Sequence, residues 1–489
     1  MLIDRYPAED VFARVPELAN QTDPVLIQLD RVLDDDDLYQ QVRADLARRY
    51  RLTPVHGRPS TPAEVLLRVL VVKHLYGWSF EETERRVTDS LVLRWFCRIY
   101  FRRVPDDTTL LRWAQTIRPA TLHALTARAA QLAAQLRVTR ARKLRVDATV
   151  VETTIHYPTD SGLLGDGVRV LTRLVQRAKP LLRERLSTAR GARDVFRNRL
   201  RSTRRTLQAL YRTVRRKAEN ATAQQRRLYE QLIQITEQTL EQAQRIHHAL
   251  DLAQGEYAAS AQLSGRPMPP HLLAELDRFL PLVAQVIHQA RTRVVAGGQV
   301  PAQEKLVSLF EPHTRILRRH KTGTPVEFGR QLVLDEVDGG IISRYRVLGP
   351  GEVERHDLPP AVAHHLAVFG HPPWLVSADR GFHVIGQDGD LQAAGVRQVA
   401  VPASGQPSGQ RRALEHSRAW KRRYRWRAGI EGRIHSLRRD FGLKRCAYHG
   451  ERGLERWVGW GLLASNLRQI GRVQASRGGR GKQQTQLVV

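Results

Sequence analysis

Cysteine is almost absent from this sequence: Cys97 and Cys446 are the only two in 489 residues. Even with His449 they fall short of the four ligands of a structural zinc site, and two thiols cannot supply a disulfide framework. Long apolar runs are also missing, since no stretch approaches the ~20 apolar residues of a membrane-spanning helix. The N-terminal residues soon turn acidic and polar. We therefore expect no signal peptide, no membrane contact and a cytoplasmic location.

Acidic residues are scarce in two blocks, and these blocks carry nearly all of the net charge of +30. Residues 169–227 contain 19 Lys and Arg against 3 Asp and Glu, and residues 411–489 contain 20 against 5. Basic surfaces concentrated in this way are typical of proteins that bind the phosphates of nucleic acid. We therefore expect DNA as a partner and association with the nucleoid. The alternative is solvated helix faces without a partner.

Helix signals dominate residues 1–136, for which we predict an all-α N-terminal domain. Between residues 60 and 118, capping sequences predict three short helices that begin at Thr61-Pro62-Ala63-Glu64, at Ser79 and at Asp106. Three such helices are compatible with a helix-turn-helix-like DNA-binding module, and equally with simple packing. The acidic run 34–37 is predicted as a helix start, because four consecutive helical residues point in different directions and cannot converge on one ion.

A mixed α/β pattern begins near residue 137. It predicts a strand over residues 143–156, a β-hairpin over 326–348, and two further strands over 374–378 and 396–401, with helices between and after them. This is the strand and helix order of an RNase H-like domain. We assign its two parts to residues 137–167 and 301–471.

A long helical insertion, predicted over residues 168–300, separates those two parts. Its first half is one of the basic blocks, and we predict that its arginines clamp a DNA backbone; the alternative is a coiled-coil dimer. The arginines of this clamp are Arg204, Arg205, Arg212, Arg215 and Arg216. The Gly- and Arg-rich tail, residues 472–489, is predicted to be disordered.

Three acids are candidate metal ligands. Asp147 lies inside a strand otherwise made of Leu and Val, where an ionised carboxylate is costly without a partner or cation. Glu152 and His156 are nearby and compete for that role. Asp379 follows a largely apolar strand, at the carboxyl end where the sites of α/β sheets gather. Three carboxylates brought together on such elements can hold two Mg²⁺ ions for phosphoryl transfer.

The third acid, Glu431, is the only carboxylate within residues 424–438, which we predict to form one basic helix. Helical spacing puts Tyr424, Arg427, Glu431 and Arg438 on one stripe. Arginines around a lone carboxylate keep it ionised and also attract phosphate. An ordinary ion pair between residues four apart is the simpler alternative for Glu431.

Three motifs together resemble bacterial insertion-sequence DDE transposases. They are Arg145-Val146-Asp147-Ala148-Thr149-Val150-Val151-Glu152-Thr153, Val376-Ser377-Ala378-Asp379-Arg380-Gly381-Phe382, and Tyr424-x2-Arg427-x3-Glu431-x6-Arg438. The last resembles that family's Tyr-Arg-Glu-Lys signature, with arginine where lysine is usual. Each motif alone is weak, whereas three in order on suitable elements are specific.

The resemblance implies a cut-and-paste enzyme that cleaves DNA at terminal inverted repeats and transfers the 3′ ends to target DNA. It implies that Asp147, Asp379 and Glu431 bind Mg²⁺, with Mn²⁺ as a substitute, and that Tyr424, Arg427 and Arg438 position the DNA backbone. It also implies a homodimer or a larger assembly on double-stranded DNA. A DNA-binding protein without catalysis and a structure-specific nuclease of the same fold are the alternatives.

Overall fold

The structure is a computed structural model. It describes residues 2–9, 14, 15, 17, 22–49, 60–186, 195–215, 221–260, 270–318 and 326–486. The chain divides into two compact units. One combines Met1–Thr154 with Gly329–Val489, and the other is Ile155–Phe328.

The first unit begins with helices, and its sheet follows them in the chain. The N-terminal helices are α1 (Pro24–Leu33), α2 (Asp36–Ala47), α3 (Ala63–Tyr76), α4 (Phe80–Asp89), α5 (Leu91–Phe96), α6 (Asp107–Thr116) and α7 (Pro119–Gln135). Their apolar faces and those of the sheet belong to one hydrophobic core.

Helix α3 is buried along almost its whole length, so even its charged residues need internal partners. The guanidinium group of Arg68 is fully buried; it lies 2.7 Å from Asp30 and 2.6 Å from Asp34, and it donates to the carbonyl of Phe96. A buried charge with these partners fixes α1 against α3.

The predicted helix start at residues 34–37 is confirmed, because the carboxylate of Asp35 accepts a hydrogen bond from the Leu38 amide at the start of α2.

Two details of the predicted module at residues 60–118 are wrong. Helix α3 begins after Pro62 and no side chain caps it, so the capping box at Thr61 does not form. A short additional helix, α5, follows α4, because Ser90 accepts the Leu93 amide and starts a new turn. The predicted caps at Ser79 and Asp106 are confirmed.

The sheet of the first unit is mixed. Its elements are β1 (Lys143–Glu152), β3 (Val326–Val337), β4 (Ile341–Val347), α12 (Leu358–Phe369), β5 (Leu375–Ala378), α13 (Gln387–Ala393) and β6 (Gln398–Ala400). Strand β1 is central: it pairs antiparallel with β3 and parallel with β5. Strand β4 extends the sheet beyond β3, and β6 extends it beyond β5. The predicted hairpin and the strands around it are confirmed.

The C-terminal helices of the first unit cover this sheet. They are α14 (Gly409–His416), α15 (Arg418–Arg425), α16 (Gly429–Asp440) and α17 (Glu451–Gln486). The predicted single helix over residues 424–438 is wrong, because a 3₁₀ turn, Trp426–Ala428, separates α15 from α16. The break lets Trp426 pack in a small cluster with Trp420 while Ile430 and Leu437, further along, are buried.

Helix α17 also corrects the predicted disordered tail, since the backbone is helical to Gln486. The side chains of Gln474 and Arg477 donate to the Leu136 carbonyl at the end of α7. These bonds satisfy a carbonyl that the end of a helix leaves without a partner, and they hold the first turns of the tail.

The second unit is mainly helical, with a separate hydrophobic core. Its elements are α8 (Asp160–Leu186), α9 (Leu200–Arg215), α10 (Ala221–Ser260), α11 (Pro270–Ala290), a π turn (Arg291–Val295) and β2 (Arg315–Arg318), which pairs with β3. Helix formation therefore begins at residue 160, before the predicted start at 168. None of the helices in the described ranges is both long and apolar enough to cross a membrane.

Candidate active site

Asp147 lies on β1, and Asp379 directly follows the neighbouring parallel strand β5. In the register of β1 with β5, Val146 is paired with Ala378, so the two acids are the next residues along. Neighbouring strands are about 4.8 Å apart, and paired residues of parallel strands point to the same face of the sheet. The strand pairing thus brings together two acids that are 232 residues apart in the sequence.

Glu431 reaches the same place from the first turn of α16. Its side chain is 66% exposed, whereas that of Asp147 is 12% exposed. The two carboxylates are joined by Arg427: one nitrogen of its guanidinium group lies 3.2 Å from Asp147, and the other donates to Glu431 at 2.9 Å. An internal cation therefore links two of the three acids.

The three acids also affect one another through their charges. Burial raises the pKa of Asp147 from an ordinary 3.8 to about 6. That value of the pKa already includes smaller effects: the charges of Asp379 and Glu431 contribute to the rise, while the Ala148 amide and Arg427 oppose it. Asp379 is less enclosed, and one of its oxygens accepts the Gly381 amide at 2.8 Å. The site thus concentrates negative charge that Arg427 only partly neutralises.

A second group of charged residues positions the start of α16. Arg145, two residues before Asp147 on the same face of β1, makes two hydrogen bonds to Glu336 on β3. It also donates to the Trp426 carbonyl at 2.7 Å. Arg433 is close enough that the charges of Glu336 and Arg145 affect its pKa. This network attaches the 3₁₀ turn and α16 to the sheet beside Asp147.

Sequence reasoning missed Glu336 and Arg433. The argument that selected Asp147 applies equally to Glu336, which is a carboxylate inside an apolar strand and is 1% exposed. For Arg433 the sequence gives no signal, because the helix contains several arginines and only the packing distinguishes the one that faces the sheet.

The other residues predicted for this site have local partners. The ring of Tyr424 is stacked on Trp420, and the Arg427 guanidinium lies 5.6 Å from its centre. Arg438 donates to the Val150 carbonyl and lies 3.8 Å from Glu152. Glu152 is also bound by Arg445, which makes it a structural ion-pair partner. Tyr424 and Arg427 are thus adjacent to the acids, and Arg438 contacts the far end of β1.

The predicted clamp lies in the second unit, on α9. Arg204, Arg205 and Arg212 are exposed there, while Thr203, Thr206 and Leu210 are buried on the opposite face. Arg216 and the side chain of Arg215 lie outside the described residues. DNA contact by this face stays a prediction.

The chemistry of the donor set suits a hard divalent cation, because three carboxylates offer only oxygen ligands. Within the described ranges, however, no group of three or more His, Cys, Asp or Glu is arranged so that it could hold a metal ion. The position of Arg427 between Asp147 and Glu431 gives a reason for this.

Two family models match the chain. One, described as "Transposase domain (DUF772)", matches residues 14–116. The other, described as "Transposase DDE domain", matches residues 337–467, which contain Asp379 and Glu431. These two matches indicate an insertion-sequence DDE transposase. The family generally uses divalent metal ions. The likeness of residues 424–438 to the Tyr-Arg-Glu-Lys signature stays a prediction.

One curated relative is an uncharacterized protein, ORF8 in the nfe locus of Rhizobium meliloti. It is 30% identical over 129 residues, which are 25% of this chain and 61% of that protein. The match therefore spans about three-fifths of the relative's length. No solved structure matches the chain.

The raised pKa of Asp147 predicts a pH-dependent gain in stability on replacing it. An acid whose folded pKa is raised stabilises the fold at low pH, and this contribution is lost as pH rises through the folded pKa, here about 6. We expect Asp147→Asn to increase the free energy of unfolding of the metal-free protein by ~2–3 kcal/mol at pH 8, and much less at pH 4.5. Urea denaturation at both pH values measures this, and a gain of equal size at both contradicts it.

The contact between α16 and Arg145 predicts that two glycines of this helix respond differently to alanine. A Cβ on Gly429 would lie 2.3 Å from the Arg145 nitrogen that donates to the Trp426 carbonyl, in a guanidinium group whose other nitrogens Glu336 binds. A Cβ on Gly432 would meet nothing within 4 Å. We expect Gly429→Ala to lose ~1–3 kcal/mol and to weaken Mn²⁺ binding, because the helix must shift. The control, Gly432→Ala, gains up to ~1 kcal/mol. Urea denaturation and Mn²⁺ titration measure both; equal behaviour of the two variants counts against the positioning role of Arg145.

Proposed function

We propose that this protein is the transposase of an insertion sequence, which cleaves DNA at terminal inverted repeats and transfers the 3′ ends to target DNA. The observation that supports this best is the meeting of Asp147, Asp379 and Glu431 at one edge of a mixed sheet, in a chain with a DDE transposase domain. The strand order of that sheet supports an RNase H-like catalytic domain, and residues 155–328 lie between β1 and most of β3 as its insertion.

In this proposal Asp147, Asp379 and Glu431 hold two Mg²⁺ ions, for which Mn²⁺ can substitute. The ions, when bound, activate the attacking oxygen and stabilise the leaving oxygen of a phosphoryl displacement. The buried position of Asp147 limits its access to water and fixes its orientation. Glu431, on the exposed turn of α16, is the ligand that DNA and metal reach first.

Arg427 has two roles in this proposal. Without metal it neutralises Asp147 and Glu431, which would otherwise repel each other at close range. When divalent cations take over that task, its guanidinium group turns to the DNA phosphate, for which its planar donors are well suited. Tyr424 supports it through the contact of the ring with the guanidinium group. Arg438 contacts the DNA backbone only if it exchanges its Val150 and Glu152 partners.

DNA is the proposed partner of both basic blocks, and paired DNA ends favour a homodimer or larger assembly. A DNA-binding protein without catalysis is the main competing function. It does not explain why three carboxylates are gathered where phosphate would bind, because each of them opposes phosphate binding unless a metal ion intervenes.

A strand-transfer assay on terminal-repeat DNA with Mg²⁺ tests the catalytic role. We expect Asp379→Asn to reduce transfer to background while DNA binding persists, since the substitution removes a metal ligand. Asp390→Asn is the matched control, because Asp390 is an exposed acid on α13, outside the site. Equal activity of Asp379→Asn and wild type contradicts the assignment, and products that are cut without being joined to target DNA indicate a nuclease.

Removing the exposed charges of α9 tests the predicted clamp. Each phosphate contact contributes about 0.9 to the slope of log K against log salt. We expect the triple substitution of Arg204, Arg205 and Arg212 by Gln to weaken duplex binding and to reduce that slope by about 1 to 3. Fluorescence anisotropy at several salt concentrations measures it. An unchanged slope means that α9 does not contact DNA.

A further inference from the structure

A basic cleft of about 1640 Å³ lies in the first unit, at the end of the sheet opposite to the acids. Its wall is formed by the end of α7, the segment 137–143 that leads into β1, and the residues before β5. Seven lining residues are Arg or Lys and none is Asp or Glu: Arg128, Arg137, Arg140, Arg142, Lys143, Arg397 and Arg477. A cleft with one sign of charge concentrates ligands of the opposite charge.

Four of these cations are available to a ligand. The side chains of Arg137, Arg140, Arg142 and Arg397 are exposed, and no ion pair joins them to any carboxylate of the described ranges. By contrast, Arg128 pairs with Asp35, and Arg477 donates to backbone carbonyls at the end of α7. The carboxylate of Asp338 does contact this segment, but it accepts hydrogen bonds from the backbone amides of Arg140 and Lys143.

The segment that carries these arginines is held in a fixed shape. Arg137 and Ala141 have φ of 56° and 49°, in the left-handed region that such residues rarely adopt. The Thr139 hydroxyl accepts a hydrogen bond from the Ala141 amide, and the Arg142 carbonyl accepts one from the Trp374 amide at 2.7 Å. Strained backbone of this kind persists only where its surroundings impose it, and it is frequent at binding sites. The arginines are therefore presented from a rigid base.

The exposed ring of Trp374 indicates the class of ligand that this cleft binds. Its side chain is 41% exposed and lines the cleft among the free arginines, although its backbone is bonded on both sides, to Arg142 and to Gln398. His371 lies beside it and is also exposed. An exposed aromatic ring among cations is typical of sites for single-stranded nucleic acid, in which an unpaired base stacks on the ring and phosphates meet the cations. A duplex keeps its bases paired and cannot use the ring in this way.

We propose that this cleft binds single-stranded DNA, with a base stacked on Trp374 and phosphates bound by Arg137, Arg140, Arg142 and Arg397. The inference rests on the proposed action on DNA and adds a second site to it. Trp374 precedes β5 and Asp379 follows it, and Lys143 begins the strand that bears Asp147. Four residues of strand span about 13 Å, so the cleft lies at the start of β1 and β5 and the acids lie about that far along the chain from it. The cleft thus holds an unpaired strand at a fixed distance from the acids.

Fluorescence anisotropy with a labelled 12-nucleotide oligothymidine and a duplex of equal length tests the proposal on the full chain. We expect Trp374→Ala to weaken binding of the single strand about tenfold and to leave duplex binding within about twofold. Trp374→Phe, which retains a ring, should keep most of the affinity. Tyr76→Ala is the matched control, because Tyr76 is similarly exposed at 44% but lies outside the cleft.

The double substitution Arg142→Gln with Arg397→Gln should weaken single-strand binding and its salt dependence, while the control Arg245→Gln, an exposed arginine on α10 outside the cleft and outside both basic blocks, should not. Photo-cross-linking with an oligonucleotide that contains 5-iododeoxyuridine locates the strand directly. We expect cross-links in the tryptic peptide 356–380, which contains Trp374. Cross-links only elsewhere, or equal losses for single strand and duplex in the Trp374→Ala variant, overturn the proposal.

The outcome is separable from that of the proposed catalysis. Binding of the oligothymidine requires neither metal nor the acids, so Asp379→Asn should bind it as wild type does. If wild type binds the single strand through Trp374 but transfers no DNA ends, the proposed transposase activity fails and the cleft stands. If wild type transfers ends while Trp374→Ala binds the single strand normally, the cleft proposal fails alone.

Discussion

A carboxylate on the central strand of a buried sheet must be neutralised, and this requirement organises the catalytic half of the molecule. Burial, with the charges of the two neighbouring acids, raises the pKa of Asp147 to about 6. Arg427 opposes this from the turn between α15 and α16. Because this compensating charge comes from a turn outside the sheet, the neutralisation of Asp147 ties the C-terminal helices α15 and α16 to β1.

A second pair of buried charges lies two residues earlier on β1. Arg145 binds Glu336 on β3 and the backbone of Trp426. Gly429 permits the close approach of α16 to this arginine. These contacts hold the start of α16 beside the sheet and thereby bring Glu431 close to Asp147 and Asp379, although Glu431 itself makes none of them. A residue can thus be essential for the site while contacting neither metal nor DNA.

The two ends of the sheet differ in the way their charges are used. Near Asp147 the acids and arginines pair with each other, so the arginines there bind DNA only after exchanging partners. At the cleft, by contrast, the side chains of Arg137, Arg140, Arg142 and Arg397 are exposed and have no acidic partner among the lining residues. In our proposals the first unit thereby offers one site that depends on metal and one surface that does not.

The sequence by itself determined which residue types carry the chemistry and which elements bear them. Alternating Leu and Val around Asp147, the apolar strand before Asp379 and the hairpin at Gly339-Gly340 are local patterns, and each was confirmed by the structure. The break of the helix at Trp426 was not visible in the sequence, because helical spacing continues through it. Only the packing of Trp426 and Leu437 into different hydrophobic clusters distinguishes the two segments. The partners of Arg427, the role of Glu336 and the cleft around Trp374 were decided by tertiary structure alone. Strand register and packing bring together residues hundreds of positions apart, and no local pattern in the chain records that distance.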